Sequence, residues 1–237
     1  MTTLQTFKDY RFGSHAGLTP GQMHALIEQF HQPPADAPEI LAGRLRAHII
    51  EISGLGRVVI KHYLRGGILR HINQWTYVKC GKTRAQAEYE LLEKIRGLGI
   101  NAPEPVAYAF CGKILYHAWL ITREIEAVKS LAEVAFTDPE RAHQLLGSVT
   151  GQISRLIEHQ IHHVDMHPGN VLVGPDDTIY LIDFDKAGTS RLRPEKLATR
   201  YCRRWHRAIV KHHLPDALNT EFEKRLMAAF KGVRYRV

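Results

Sequence analysis

Between His162 and Asn170 the chain reads HHVDMHPGN, and a little further on it reads LIDFD. An acid at Asp165, an imidazole at His167, a Pro168-Gly169 bend and a carboxamide at Asn170 stand within six positions, and a second acid, Asp183, follows a short turn. A carboxylate so placed can take a proton from a hydroxyl, and a carboxylate with a carboxamide oxygen suits a hard cation such as Mg²⁺. Either piece alone also reads as an Asp-Pro-Gly-Asn turn or as a strand ending in aspartate. Their joint order, after a long helix, argues for chemistry.

The elements that must position these residues are legible around them. Asp138 caps a helix, Pro139 opens its first turn, and Ala142, Leu145, Leu146, Val149, Ile153, Leu156 and Ile157 recur at helical spacing as a core stripe. VLV, a GPDD turn and TIYLIDFD form a hairpin behind the loop. Upstream, Thr19 before Pro20 starts a helix carrying Met23, Leu26, Ile27 and Phe30, which QPPADAP ends. RAHIIEI and RVVIKHYL flank SGLG as a β-hairpin, and a helix follows from Thr83, with Gln86 completing a capping box and Gly97 or Gly99 ending it. PEPVAYAF and KILYHAWLITREI are two more strands. The expectation is an α+β chain: a helical appendage over residues 1–40, an antiparallel-sheet lobe with one main helix over 41–125, and a small, mostly helical lobe over 126–237.

Composition narrows the setting. With 44% hydrophobic and 24% charged residues, the chain has material for a core without staples, and Cys80, Cys111 and Cys202 follow neither a metal nor a disulfide pattern. The N-terminal MTTLQTFKDYRFG has no apolar signal core, and no apolar run approaches the roughly 18 residues of a membrane span. A cytosolic or peripheral membrane protein is expected. The net charge of +8 is concentrated: residues 186–213 hold nine Lys or Arg and one acid, Glu195. There Leu197, Tyr201, Trp205 and Ile209 share one helical face, with Arg200, Arg203, Arg204, Arg207 and Lys211 around the rest. Two readings stay open, a solvated basic surface and an attraction to anionic lipid. No nucleic-acid motif accompanies the charge. The pairs His162-His163 and His212-His213 point different ways in any regular structure, which disfavours zinc.

Asp165, Asn170 five positions on, and Asp183 follow the order and spacing of the protein-kinase catalytic loop, D-x-x-x-x-N, and its metal-binding aspartate. The sequence resembles the protein-kinase-like superfamily, and the two-lobed fold expected is of that kind. The resemblance makes Asp165 the base and Asn170 and Asp183 the Mg²⁺ ligands, with ATP as phosphoryl donor. It also requires a strand lysine on the phosphates and a helix glutamate to hold it. Lys61 ends the second hairpin strand, and Glu88 opens the series Glu88, Leu91, Leu92, Ile95, so its carboxylate shares the apolar face and needs a partner. Gly43, in AGRLRA, is the candidate phosphate loop, Glu124 and Ile125 close the strand that should offer backbone groups to adenine, and His167 could hydrogen-bond the transferred phosphate. Val164 stands where a protein kinase has Arg, DFG is DFD, and no A-P-E follows. These departures favour a small hydroxylated acceptor over a peptide.

VIKHYLRGG, TRAQAEYELL, LITREI, the catalytic loop and YLIDFDKA are together similar to the lipopolysaccharide-core sugar kinases, over about Leu41 to Arg193. The resemblance implies transfer of the γ-phosphate of ATP to the 4-hydroxyl of 3-deoxy-D-manno-octulosonic acid (Kdo) on a Kdo-bearing lipid A precursor. The setting would be the cytoplasmic side of the bacterial inner membrane, against an anionic surface and without an obligate protein partner. His167-Pro168-Gly169 departs from the Asn-Ala-His expected there and is closer to aminoglycoside and choline kinase-like loops. A heptose kinase or an aminoglycoside-type phosphotransferase is the alternative.

Overall fold

Ala47–Ile52 and Gly56–His62 form the hairpin that the β-branched runs RAHIIEI and RVVIKHYL predict, and side-chain alternation along it decides what each face of the sheet can hold. In the computed structural model the described residues are 2–30, 47–63, 77–78, 81–113, 115–126 and 128–231. They fall into two units, one within 1–93 and 103–124, the other within 94–102 and 125–237.

The first unit contains, in chain order, β1 (Thr3–Phe7), β2 (Tyr10–Ser14), α1 (Pro20–Phe30), β3 (Ala47–Ile52), β4 (Gly56–His62), β5 (Tyr77–Val78), most of α2 (Arg84–Gly97), β6 (Pro105–Cys111) and β7 (Leu115–Arg123). The strands form one antiparallel sheet in the order β1-β2-β6-β7-β4-β3, with β5 paired to β7. Val58, Ile60, Ala107, Ala109, Trp119 and Ile121 cluster with Met23, Leu26 and Phe30 of α1. The rings of Phe30 and Trp119 stack at 4.3 Å. Lys61, Tyr108 and Leu120 alternate with these residues and so belong to the opposite face, where Tyr108 meets Tyr89 of α2 edge-on at 5.3 Å.

The helical appendage expected over residues 1–40 is corrected for its described part. β1 and β2 extend the main sheet through β6, and α1 covers one sheet face. Lys8, at φ 53°, makes the tight turn between β1 and β2 without the Asn-Gly signal that marks such turns. Gly13 sits opposite Tyr108 across β2 and β6, and a Cβ there would lie 2.1 Å from the Tyr108 ring. At α2 only half of the expected capping box forms: Thr83 Oγ1 accepts from the Gln86 amide (3.2 Å), but the Gln86 side chain donates to Glu90 (3.1 Å).

The second unit contains β8 (Lys129–Ser130), α3 (Leu131–Thr137), α4 (Pro139–Glu158), β9 (Ile161–His162), β10 (Val171–Val173), β11 (Ile179–Leu181), β12 (Gly188–Thr189), α5 (Pro194–Lys211) and α6 (Asp216–Phe230). The Asp138 side chain accepts from the Arg141 amide (3.0 Å), and Pro139 opens α4 as expected. The stripe from Ala142 to Ile157 is buried; at roughly 1.5–3 kcal/mol for each large aliphatic side chain removed from water, it is a main source of this unit's stability. On α5, Leu197, Tyr201, Trp205 and Ile209 are buried, and Trp205 stacks on Phe222 of α6 at 4.0 Å. Two small ladders complete the unit: β11-β10-β8, and β12 with β9. Among the described residues Cys111 and Cys202 are free thiols; Cys80, Gly43 and the LRGG of YLRGG lie outside them.

Candidate active site

The two ladders place the loop chemistry. β9 enters the 163–170 loop and β10 leaves it, while β11 runs toward Asp183 and β12 follows it. Because Val171 pairs with Leu181 and His162 with Gly188, the two loops are clamped side by side at both ends. The Ile182 amide adds a rung by donating to the Asn170 carbonyl (3.0 Å). His163 is fully buried; its Nε2–H donates to the Ile182 carbonyl (2.9 Å), and its ring meets Phe184 edge-on at 4.6 Å. Burial lowers its pKa, against the hydrogen bond to Ile182 and the nearby acids, so this ring braces the loops as a neutral group.

Asp165, Asn170 and Asp183 are brought together as the sequence predicts. Asn170 closes a 3-10 turn over Pro168–Asn170, and its Nδ2 donates to the Asp165 carbonyl (2.9 Å). With the amino group so used, the carboxamide oxygen is the end suited to a cation. Asp183 has φ 64°, a left-handed conformation that aspartate tolerates better than most residues and that is associated with functional sites. Asp165, Asp183, Asp185 and Lys186 line one pocket. Among the described residues no cluster of three or more His, Cys, Asp or Glu is arranged for a metal. A carboxylate plus a carboxamide oxygen nonetheless fits Mg²⁺, which takes few protein ligands and completes its shell with phosphate and water.

His167 is neutral. Burial first, and then the nearby Arg204 charge, bring its pKa down to about 4. Its Nδ1 accepts from the Gly169 amide (3.1 Å), which assigns the proton to Nε2. Thus the Pro168-Gly169 bend turns the imidazole into a fixed donor.

One partner of the loop was not legible. Arg204 of α5 donates from both Nε (2.8 Å) and Nη2 (2.5 Å) to a single oxygen, Asp165 Oδ1. Burial acts to raise the Asp165 pKa, but the hydrogen bond and charge of Arg204 outweigh it, and the carboxyl is held below its usual range. The even treatment of Arg200, Arg203, Arg204 and Arg207 as one solvent- or lipid-facing set is therefore corrected: Arg204 is spent on Asp165 of the 163–170 loop, while the other three are exposed. The signal was its place one residue before Trp205, at the margin of the apolar stripe.

In the first unit, Lys61 and Glu88 meet as expected. Lys61 Nζ donates to both Glu88 oxygens, at 3.0 and 2.9 Å, and the Tyr63 hydroxyl donates to Glu88 Oε2. Glu88 is only 3% exposed and Lys61 28%. The Glu124 amide donates to the Arg57 carbonyl (3.1 Å) and its carboxylate pairs with Arg57, so that amide is not available to a base such as adenine. Ile125 begins the second unit.

Comparison with known proteins adds an independent line. The model of the Lipopolysaccharide kinase (Kdo/WaaP) family matches residues 28–231. A protein of Xylella fastidiosa (strain M12) named 3-deoxy-D-manno-octulosonic acid kinase is 30% identical over 189 residues, 77% of this chain and 74% of its own. Proteins of the same name from Photobacterium profundum and Vibrio vulnificus are 30% identical over 159 residues and 29% over 130, covering 65% and 54% of this chain and 65% and 55% of their own.

Proposed function

This chain belongs to the lipopolysaccharide kinase (Kdo/WaaP) family, and we propose that it is an ATP- and Mg²⁺-dependent Kdo kinase, transferring the γ-phosphate to the 4-hydroxyl of Kdo on a Kdo-bearing lipid A precursor. The observation that carries the reading is Asp165 and Asp183 at one pocket, with Asn170 tied to the Asp165 carbonyl and Asp165 Oδ1 taken by Arg204. In a two-lobed kinase-like division of labour, Lys61, braced by Glu88, holds the α- and β-phosphates, and the Glu124 carbonyl and Ile125 serve adenine in place of the Glu124 amide, which is already bonded. Asn170 and Asp183 hold Mg²⁺, which when bound neutralises phosphate charge. Asp165 Oδ2 accepts the proton of the acceptor hydroxyl. The hydroxyl oxygen bonds to the γ-phosphorus, the bond from phosphorus to the bridging oxygen breaks, and ADP leaves with the electron pair. His167 Nε2–H donates to the transferred phosphate, a neutral donor being able to release the product more readily than a cation.

No helix among the described residues is long and apolar enough to cross a membrane. The proposed location is peripheral, on the cytoplasmic side of the inner membrane, with Arg200, Arg203 and Arg207 of α5 toward anionic lipid. Mass spectrometry of Kdo-lipid A precursor after incubation with ATP and enzyme tests the reading. One added phosphate on Kdo is expected; label appearing only on heptose or on an aminoglycoside in a parallel panel would replace Kdo as the acceptor.

A further inference from the structure

We propose that Arg204 is the positioning residue of Asp165: its guanidinium holds Oδ1 so that Oδ2 alone is presented to the acceptor hydroxyl. This rests on the reading of Asp165 as the base, and it assigns a part of the machinery to a helix that lies beyond the loop motifs. An ordinary surface ion pair would carry no such weight, being weak and loosely held. Three features set this one apart.

The first is how the donors are used. Nε and Nη2 both converge on Oδ1, which fixes the direction of the carboxylate plane. A side-on pair with one nitrogen on each oxygen would have occupied both. The second is that the arginine is anchored more firmly than the acid: its side chain is 23% exposed against 49% for Asp165. Next to it Trp205 is fully buried against Phe222, and Tyr201, one turn earlier, accepts from the His163 amide (2.8 Å) and donates to the Ile161 carbonyl (2.9 Å). α5 is therefore fastened to the backbone that leads into the loop. The third is that Asp165 is held from its other end as well, because Asn170 Nδ2 binds its main-chain carbonyl. With carbonyl and Oδ1 both tied, rotation of the acid is restrained, and a general base misplaced by as little as 1 Å loses roughly 10²-fold in rate.

A double-mutant cycle tests this on the full chain, with labelled ATP and Kdo-lipid A precursor. Arg204→Ala should lower kcat roughly 10- to 10²-fold with the KM for ATP nearly unchanged, and added guanidinium should restore part of kcat. Arg204→Lys, a point charge without the fork, should fall between. In the Asp165→Asn background the same Arg204→Ala change should cost less than about twofold, because the group it orients no longer acts as a base. An equal loss in both backgrounds, or a wild-type kcat in Arg204→Ala, overturns the proposal while leaving Asp165 as the base. Wild-type activity in Asp165→Asn alone instead removes the base and this inference with it. Thermal melting checks each fold; if Arg204→Ala melts below the assay temperature, the cycle with Arg204→Lys decides on the same criteria.

Discussion

Two ion pairs, one in each unit, are built alike and used in opposite senses. In the first, the acid Glu88 is the buried holder, and the cation Lys61 reaches toward solvent. In the second the cation Arg204 is the less exposed holder, and the acid Asp165 is half exposed. In each the more buried member is fixed by its element, α2 or α5, and the other is the group proposed to do chemistry. What differs is the cost of error. A carboxylate at 3% exposure with no cation is far costlier than an arginine that can still reach water.

That contrast can be broken most forcefully at Glu88. Glu88→Ala removes the partner of Lys61 and of the Tyr63 hydroxyl, so kcat/KM for ATP should fall roughly 10²-fold or more, and hydrogen bonds to a charged group worth about 1.5–3 kcal/mol should be missing from the stability. Phosphoryl-transfer kinetics and thermal melting measure the two. A wild-type melting temperature with wild-type kinetics would show Glu88 to hold nothing.

A smaller effect concerns the ring beside Asp165. With its folded pKa at about 4 and an unfolded value near the usual histidine value, His167 is bare in the folded state while the unfolded chain takes up a proton. Stability should therefore fall as pH drops from about 6.5 to about 4, by on the order of 1–2 kcal/mol from this ring after allowance for its partial exposure. Urea denaturation at a series of pH values, repeated with His167→Gln, isolates its share. His162, His163 and His212 are lowered too, so the variant should flatten the slope without abolishing it. An unchanged slope would mean that His167 is protonated alike in both states.

The smallest effect separates Arg204 from its neighbours. Reversing exposed Arg200, Arg203 and Arg207 to Glu should raise the apparent KM for vesicle-presented acceptor roughly threefold to tenfold at physiological salt, with the difference shrinking as salt rises. ATP binding should hardly move. Unchanged vesicle affinity in a folded variant would leave these three as a solvated surface, and Arg204 as the only arginine of that run with a catalytic task.

What was legible follows from local rules. The Lys61–Glu88 pair could be read because the kinase-like resemblance asks for a strand lysine and a helix glutamate, and helical period on α2 puts Glu88 on the apolar face. Asp165, Asn170 and Asp183 could be read because their spacing is fixed by a loop and a hairpin. The β1-β2 hairpin was missed because Lys8 makes its turn without a glycine or asparagine. Arg204 was missed because its partner lies 39 residues away, and no periodicity links a helix to the loop on which it docks. α6 carries Leu218, Phe222, Leu226 and Phe230 four apart as its buried face, with Phe222 stacked on Trp205, and α3 opens on the Ser130–Glu133 capping box, so the signals for both were present in the sequence.

The Tyr201 hydroxyl sits between a backbone acceptor and a backbone donor of the strand that feeds the loop. A peripheral protein often meets lipid by letting an amphipathic helix roll its apolar side into the bilayer. Here that side is already occupied: turning α5 over would pull Tyr201 from Ile161 and His163, and Arg204 from Asp165, and so undo the contact proposed to align the base. α5 can meet a membrane only with its outer basic face, as a docked plank rather than an inserted wedge. On the proposed peripheral location, attachment would then be salt-sensitive and reversible, and the helix proposed to meet lipid would also be the one proposed to keep the base aligned.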